Sequence, residues 1–448
     1  MPVSIIDSTL FKDMFGTEPM RAVFDETTTL QRYLDVEAAL ARVQARLGLI
    51  PEAAAKEISA KARVELLDQA AVAAETEIVG YPIIAVVKGL GKACADGHGE
   101  YAHWGATTQD IMDTGMVLQL KDALLLIERE LETLTGTLAG LAETYRKAPM
   151  AGRTHLQHAL PVTFGLKAAI WLAPLLRMRT RLDELKPRVL AGQFAGASGT
   201  LASLGDRGME VSDALMDELG LARPLAPWHV ARDGVAETIC FLALVTGALS
   251  KIATDVMLMM TTEVGEVFEP FVPGRGASST MPQKRNPISC EIIRGCARLV
   301  RQHAGAALDG MEADFERATG PWHVEWAAVP EAFVLTSGAL AQANFMLAGL
   351  EVDADRMRRN LDVSQGLILA EAVMMGLAPK LGRQIAHDIV YDACRQAIAD
   401  RSHLRDALLK DKTIAAGLDP AEIDRLLDPV NYLGAADAMI DRVLAAVP

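Results

Sequence analysis

The chain has 448 residues, 50% of them hydrophobic, and a formal net charge of −14. This length allows two or three domains with a large buried core. The acidic balance argues against a surface for nucleic acid or anionic membrane, which needs clustered Lys and Arg. Five scattered cysteines without a CxxC spacing indicate a reduced, cytosolic setting.

Two observations bear on membrane targeting. The first fifteen residues lack the basic segment and the long apolar run of a signal peptide. The most apolar stretch, 238–250, is closed by Glu237 and Lys251, which leaves it shorter than the roughly 20 residues that a membrane-spanning helix needs. We therefore expect a soluble, cytoplasmic protein.

Two proline-free segments predict long helices. In 111–148, apolar residues recur at alternating spacings of three and four, which predicts one helix on the order of 55 Å long. The stripe consists of Val117, Leu120, Leu124, Ile127, Leu131, Leu134, Leu138 and Leu141. The segment 233–268 is apolar on nearly all faces, so its helix needs neighbours on every side. Because one subunit can hardly cover it, we expect oligomerisation.

Further helices are predicted around these two. Long ones are expected at 162–186 and 324–348, and shorter ones near 353–361, 367–378, 383–400 and 420–445. Strand patterns are almost absent. The sequence thus predicts an all-α chain with an N-terminal helical domain (1–110), a central long-helix bundle (111–350) and a C-terminal helical cap (351–448).

Three polar segments lie at the ends of the predicted long helices. They read "EYAHWGATTQD" (100–110), "GRTHLQHALPVTFG" (152–165) and "PGRGASSTMPQKRNP" (273–287). Helix N-termini favour anions, but each segment also has a structural interpretation. Thr107, Thr108 and Asn286 are residue types that cap helices. His155 and His158 have a spacing that metal pairs use, without a nearby third ligand.

The three segments resemble the signature motifs of the fumarase/aspartase superfamily. "GASSTMPQKRNP" matches its G-S-S-x-M-P-x-K-x-N-P loop, with Ala277 just before the serine pair. "GATTQD" is similar to its T-S-x-D segment, with Thr108 in place of Ser. "GRTHLQHALPVTFG" is similar to its T-x-H-x-Q-x-A-x-P segment. All three occur in the family's order, and the resemblance spans essentially the whole chain.

The resemblance implies a fold and a reaction class. Members are homotetramers with five long helices per subunit, which form an elongated twenty-helix core. Each active site combines the three segments from three different subunits. The enzymes cleave a C–N or C–O bond by β-elimination, or run the reverse addition, on a substrate that carries a carboxylate beside the carbon that loses its proton. Fixed donors stabilise the charge that develops on that carboxylate.

The resemblance also implies roles for single residues. Ser278 would be the base on a loop that closes over substrate, with Ser279 as its structural neighbour and Met281 near the substrate. Lys284 and Asn286 would bind carboxylate oxygens, and His155 would protonate the leaving group. Further substrate contacts are expected from Thr107, Thr108, Gln157 and His103. Candidates for reading the rest of the substrate are Arg21, Arg232, Arg317 and His323, each of which could equally form an interface salt bridge.

Several stretches resemble the 3-carboxy-cis,cis-muconate cycloisomerase branch, among them "GEVFEP" (265–270), "WHVEW" (322–326) and "LDPVNYLG" (427–434). Adenylosuccinate lyases share the signature loop, but Tyr81 stands where their T-R-H-D-V histidine would fall. His155 departs from the bulky apolar residue common in bacterial cycloisomerases and fits enzymes that protonate an amine or alkoxide leaving group. We therefore expect muconate lactonisation, with a C–N lyase acting on an N-substituted aspartate as the alternative.

A non-enzymatic role is the third alternative, because the superfamily fold also serves as a lens structural protein. The retention of Ser278 and His155 argues against it. No glycine-rich dinucleotide fingerprint, Walker loop or metal-ligand cluster occurs in the sequence. We expect no cofactor and no metal, and a small di- or tricarboxylate as the binding partner.

Overall fold

The computed structural model describes residues 4–448, and these residues form nineteen α-helices and four short strands. The prediction of an all-α chain is confirmed. Six helices precede the first long one: α1 (Lys12–Phe15), α2 (Glu18–Phe24), α3 (Glu26–Arg46), α4 (Glu52–Lys61), α5 (Gln69–Val79) and α6 (Ile83–Ala93). The carboxylates of Asp25 and Asp68 cap α3 and α5 by accepting backbone N–H groups of the first turn.

The middle of the chain contains the five longest helices. They are α7 (Thr108–Thr144), α8 (Phe164–Val189), α10 (Asp233–Met259), α11 (Ile288–Asp309) and α12 (Pro321–Ala348), with the shorter α9 (Gly208–Leu219) between α8 and α10. The apolar stripe of α7 is buried along its length except at Leu141. The heptad spacing therefore identified both the helix and its buried face.

Helix α10 is shorter than predicted. It ends at Met259, and the chain then passes through Gly265, which has a positive φ of 58°, into the strand β3 (Val267–Phe268). The predicted helix was extended to residue 268 because no proline interrupts the segment, although the residues after Met259 include two threonines, two glutamates and Gly265. By length and composition α10 could cross a membrane, but 56% of its most apolar window is buried inside the chain, as in the core helix of a soluble protein.

The C-terminal region is more divided than predicted. It contains α13 (Ala354–Leu361), α14 (Ala370–Leu381), α15 (Arg383–Asp400), α16 (Leu404–Lys410), α17 (Lys412–Gly417), α18 (Pro420–Leu426) and α19 (Ala436–Leu444). The single helix predicted for 420–445 is wrong, since α18 and α19 are separated by a turn at Pro429–Asn431. Helices α16 and α17 were not predicted, because each is too short to produce a periodic pattern.

The sequence analysis found almost no strand patterns and therefore missed four short strands. Strands β1 (Pro149–Thr154) and β2 (Gln157–Thr163) form an antiparallel hairpin, and β3 pairs with β4 (Glu351–Val352). The hairpin falls on the second of the three motif segments. It therefore decides how that segment presents its side chains.

The chain divides into two compact units, each drawn from three segments. The first comprises the described residues up to Leu131, Met178–Ser250 and Ile292–Gln342; the second comprises Glu132–Arg177, Lys251–Glu291 and the residues from Ala343 onward. In the first unit α3, α6 and the start of α7 share one core, and in the second α14 to α18 share another. The division into three domains at residues 110 and 350 stays a prediction.

Candidate active site

In the first unit, the segment "GATTQD" leads directly into α7, which begins at Thr108. Helix caps accept backbone N–H groups with a side-chain oxygen. Neither Thr107 nor Thr108 makes such a bond with its hydroxyl among the described residues. Instead Thr107 donates its own N–H to Asp110 Oδ2 at 3.0 Å. Both half-buried hydroxyls thus remain available to a ligand, which favours the binding role over the capping role.

Asp110 holds this segment in place. Its buried carboxylate accepts hydrogen bonds from Ala195 N at 3.0 Å and from Gly196 N at 2.9 Å, and its Oδ1 lies 2.8 Å from His229 Nε2. These contacts fix the first turn of α7 to a distant loop. The sequence analysis gave Asp110 only as part of a motif, because its partners lie about 85 to 120 residues away.

His103 is held by a buried carboxylate. Its backbone N–H donates to Glu37 Oε2 at 2.9 Å, and its ring nitrogen Nδ1 lies 2.6 Å from Glu37 Oε1. Burial would lower the pKa of His103, but the hydrogen bond to Glu37 and the charges of Glu37 and Asp110 outweigh it and raise the pKa above the ordinary 6.5. His103 therefore carries a proton more readily than an exposed histidine.

We expect this pair to make stability depend on pH. Because the folded pKa of His103 is raised, its contribution is complete below the unfolded pKa of about 6.5 and is lost as pH rises through the folded pKa. The difference in Tm between wild type and His103→Gln, measured from pH 5 to 9, should shrink with rising pH. His387→Gln, which changes an exposed histidine, is the control. A difference that is constant or grows with pH contradicts this assignment.

The arginine candidates have different environments. Arg317 donates to Gln109 Oε1 at 2.8 Å and to the carbonyl of Ala197 at 2.7 Å, so it lies next to the Thr107–Thr108 segment. Arg21 donates to the carbonyl of Lys12 at 2.9 Å and to Asp13 at 2.6 Å, and it joins α1 to α2. Arg317 thus contacts the "GATTQD" segment through Gln109, whereas Arg21 makes no described contact with that segment.

Arg232 is fully buried in an ion network, so its prediction as a substrate-reading residue is wrong. Its guanidinium donates two hydrogen bonds to each of the carboxylates of Asp113 and Glu325. Trp322 Nε1 also donates to Asp113 at 3.2 Å. These residues lie near the starts of α7, α10 and α12. The network therefore binds the three helix starts together and supports the Thr107–Thr108 segment.

An aromatic cluster flanks this network on α12. His323 lies 4.4 Å from Trp326 between ring centroids, and Tyr81 lies 5.7 Å from Trp322 and 6.0 Å from both His323 and Trp326. His323 and Trp326 are exposed in the single chain. Tyr81, which replaces the adenylosuccinate lyase histidine, is thus part of an aromatic surface and makes no described bond to a motif residue.

In the second unit, His155 lies at the turn of the β1–β2 hairpin. The register pairs Thr154 with Gln157, which leaves His155 and Leu156 as the two central turn residues. Both have positive φ, 50° and 64°. Such turns favour Asn-Gly, and a left-handed leucine is strained. Leu156 is also 81% exposed. The strained, exposed turn presents His155 and Gln157 outward from the chain.

His158 and Arg153 form the opposite, anchored part of the hairpin. Arg153 donates to both oxygens of the buried Glu266, at 2.9 and 2.7 Å, and Asn360 donates to the same carboxylate at 2.8 Å. Burial and the charge of Arg153 lower the pKa of His158. Among residues 4–448 no group of three or more His, Cys, Asp or Glu could hold a metal ion, so the structure lends no support to a metal pair at His155 and His158.

The signature loop closes on itself at its base. Asn286 N donates to the carbonyl of Gly276 at 3.0 Å, and Ala277 forms a bridge with Arg285. Gly276 has a φ of 68°, and a Cβ there would come within 2.6 Å of the Asn286 carbonyl oxygen. Only glycine suits this position. The loop between these residues is mostly exposed, including Ser279, Met281 and Lys284.

Within the loop, the hydroxyl oxygen of Ser278 accepts two backbone hydrogen bonds. They come from Thr280 N at 3.3 Å and from Met281 N at 3.1 Å. Donors that face an oxygen favour its ionised form. Ser279 has no comparable arrangement among the described residues. Of the two adjacent serines, Ser278 is thus the one whose hydroxyl oxygen faces two backbone donors in the described structure.

The two cations of the loop have different surroundings. Arg285 donates to both oxygens of Glu351 and to the carbonyl of Glu269, so it anchors the loop to β3 and β4. Lys284 is exposed and forms no hydrogen bond or ion pair with its side chain in the described part of the chain. It is available to a carboxylate ligand.

A buried glutamate, not Asn286, caps α11. Glu269 accepts Ser289 N at 3.1 Å and Cys290 N at 2.9 Å. The interpretation of Asn286 as the cap of this helix is therefore wrong, since the carboxylate of Glu269 already accepts these N–H groups. The side chain of Asn286 is therefore not needed as a helix cap.

No described bond joins His155 or Gln157 to Ser278, Lys284 or Asn286 within one chain.

Comparisons with known proteins agree with the motifs. A family model described as "Lyase" matches residues 15–301, and one described as "Adenylosuccinate lyase C-terminus" matches 366–443. A trans-aconitate decarboxylase 1 of Mycosarcoma maydis is 50% identical, over 97% of this chain and 88% of that protein. A 3-carboxy-cis,cis-muconate cycloisomerase of Pseudomonas aeruginosa is 49% identical, over 97% and 96%.

The solved structures give the same result. The structure of a fumarate lyase from Mesorhizobium sp. BNC1 has a TM-score of 0.91 and 54% identity, and the match covers 96% of this chain and 98% of that one. These similarities extend over the whole fold, including the cap region that the sequence resemblance also covered.

Proposed function

This chain belongs to the fumarase/aspartase superfamily of lyases, and we propose that it closes 3-carboxy-cis,cis-muconate to its lactone. In this reaction a carboxylate oxygen adds to a carbon of the double bond, and the neighbouring carbon gains a proton. Two names among its relatives concern unsaturated tricarboxylates, 3-carboxymuconate and trans-aconitate. The observation that carries the proposal is the Ser278 oxygen, which accepts two loop N–H groups, on the same loop as the exposed Lys284, whose side chain has no partner among the described residues.

The mechanism assigns one proton to Ser278. One carboxylate of muconate attacks a carbon of the double bond. The electron pair of the double bond then moves through the other carbon of that bond into the carboxylate attached to it, and this carboxylate becomes dianionic. Lys284 and Asn286 stabilise this charge by donating to its oxygens. The Ser278 hydroxyl then delivers its proton to the carbon, and the resulting alkoxide is stabilised by Thr280 N and Met281 N until it regains a proton from water. The reverse elimination uses the same alkoxide as the base.

We further propose that the active sites form in a homotetramer, as the family resemblance implies. In one chain Thr107 and Thr108 belong to the first unit, while His155 and Ser278 belong to the second. The long helices also expose large apolar side chains: Leu125 on α7, Leu244 and Leu258 on α10, Leu299 and Leu308 on α11 and Phe345 on α12. Exposed apolar surface of this extent supports association with further copies.

A substrate panel tests the reaction. The purified enzyme is given 3-carboxy-cis,cis-muconate, trans-aconitate or an N-substituted aspartate, and lactone, CO₂ and fumarate are measured. We expect loss of the muconate absorbance with formation of lactone. Fumarate release from the aspartate derivative without muconate turnover supports the C–N lyase, and CO₂ release from trans-aconitate alone indicates a decarboxylase. Either result overturns the proposal.

The C–N lyase is the second candidate because of His155. An amine leaves only after it gains a proton, whereas a carboxylate leaves as the anion. His155, exposed at the hairpin turn, has the ordinary chemistry of such a proton donor. In lactonisation the same histidine has no leaving group to protonate, and it contributes binding only.

His155→Gln therefore separates the two candidates. For the cycloisomerase we expect kcat within about tenfold of wild type, whereas loss of an essential acid costs about 10²–10⁴-fold. Steady-state kinetics with the substrate found in the panel measures this. His158→Gln, three residues away in the anchored part of the hairpin, is the matched control. If His155→Gln, but not His158→Gln, lowers muconate turnover by about 10²-fold or more, then the reaction needs a proton from His155, and the proposed mechanism is contradicted.

A further inference from the structure

A cavity of about 320 Å³ lies beside the hairpin, and all its lining residues belong to the second unit. Most of its wall is apolar and includes Leu156 at the strained turn and Met259 at the end of α10. Three charged side chains also line it: Arg153, Lys167 and Asp255. Its volume is at the lower end of the range of small-molecule sites.

Two of the three charges have partners. Arg153 is bound to both oxygens of Glu266. Asp255 forms an ion pair with Lys251 and accepts Trp171 Nε1 at 2.8 Å. The ammonium of Lys167 forms no hydrogen bond or ion pair within residues 4–448. Lys167 is therefore the one charged side chain of this wall without a hydrogen bond or ion pair among those residues, although the charges of Asp255 and Glu266 act on it from a distance.

Lys167 is largely withdrawn from water on the first turns of α8. Burial lowers its pKa, because the charged form loses hydration; the charges of Lys251 and Arg153 act in the same direction, and those of Asp255 and Glu266 oppose it. A methionine would fill the same space without this cost. A partly buried ammonium that lines a mostly apolar cavity without a direct partner among residues 4–448 indicates that its partner comes from outside the chain.

We propose that Lys167 and this cavity form a binding site for a carboxylate group of a small molecule. The ammonium supplies the charge, the apolar wall holds the carbon skeleton, and the hydroxyl of Thr261, also in the wall, can contact a further oxygen. The carboxylate belongs either to the substrate itself, as the group that distinguishes a tricarboxylate from a dicarboxylate, or to a separate acid that acts on the enzyme.

The first test is the stability of Lys167→Met without ligand. A lysine that serves the fold destabilises the protein when it is removed. A lysine kept for a ligand does not, so we expect a Tm equal to wild type or up to about 3 °C higher. Lys186→Met removes a lysine of the same helix that is paired with Glu128 at 2.7 Å, and it should not raise the Tm. A clear fall in the Tm of Lys167→Met contradicts the proposal.

The second test is binding of tricarballylate, a saturated tricarboxylate that cannot undergo addition. Calorimetry should detect binding to wild type and to Lys186→Met. Loss of a charged hydrogen bond predicts affinity weaker by about tenfold or more in Lys167→Met, or the disappearance of one class of sites. Unchanged affinity and stoichiometry in Lys167→Met, or no binding to wild type, overturns the proposal.

Kinetics distinguishes the two sources of the carboxylate, and only this part relies on the proposed reaction. Competitive inhibition by tricarballylate that weakens in Lys167→Met identifies the substrate's own carboxylate. Non-competitive inhibition that weakens in the same variant identifies a separate acid. If wild type turns over no muconate, the proposed function fails while the calorimetric result on Lys167 stands by itself.

Discussion

Ser278→Ala is expected to lower kcat for lactone formation by about 10³-fold or more, while KM changes by no more than a few-fold. General acid–base groups contribute about 10²–10⁴-fold, and Ser278 additionally presents an oxygen held by two backbone donors, Thr280 N and Met281 N. In the proposed mechanism, the substitution removes the atom that transfers the proton to carbon. The carboxylate contacts of Lys284 and Asn286 remain, so binding persists.

The adjacent serine provides the comparison. Ser279→Ala changes the same loop by the same atom but removes no oxygen with this pair of donors, and we expect it to retain more than about a tenth of wild-type kcat. Binding of tricarballylate by Ser278→Ala checks that the loop keeps its structure. If Ser278→Ala keeps more than a few per cent of turnover, or if the two variants lose activity equally, Ser278 is not the proton-transferring group.

Arg232→Met is expected to reduce the free energy of unfolding by about 3–5 kcal/mol. It leaves the carboxylates of Asp113 and Glu325 buried without their shared cation. Burial already raises the pKa of Glu325, and Arg232 opposes that rise. Without the arginine the pKa rises further, so the carboxyl is neutralised at higher pH. The loss of stability should therefore narrow as the pH falls.

Chemical denaturation at pH 5 and pH 8 measures this effect. Arg223→Met is the matched control, because Arg223 also donates two hydrogen bonds to a carboxylate, that of Asp217, but at the surface. Such pairs contribute at most about 1 kcal/mol. Equal effects of the two substitutions would show that the buried network does not hold the helix starts together.

The sequence predicted those elements whose cause is local or periodic. In α7 the apolar residues recur in every heptad and so indicate which face is buried. The three motif segments were recognised from contiguous residues. The elements that were missed depend on distant contacts or on unusual conformations. The hairpin whose turn is His155-Leu156 could not be predicted, because the sequence patterns that indicate such turns contain Gly or Asn. The α11 cap is likewise supplied by Glu269, about 20 residues earlier.

The same reasoning explains the candidate site. Ser278, Lys284 and Asn286 could be proposed because one contiguous loop resembles the signature loop of the superfamily. Arg232 could not be classified from the sequence. An arginine that reads a substrate and one that links buried carboxylates look alike until their partners are located, and those of Arg232 lie 119 and 93 residues away. Lys167 gave no sequence signal, because its importance lies in the absence of a partner among the described residues.

Lactonisation of 3-carboxy-cis,cis-muconate in D₂O, followed by NMR, tests proton transfer from Ser278 to carbon most directly. The wild-type enzyme should form lactone with one deuterium, on a single face of the carbon next to the carboxylate, and Ser278→Ala should form none above the uncatalysed rate. Product without deuterium, product labelled on both faces, or single-face labelling that persists in Ser278→Ala at wild-type rate would contradict this mechanism.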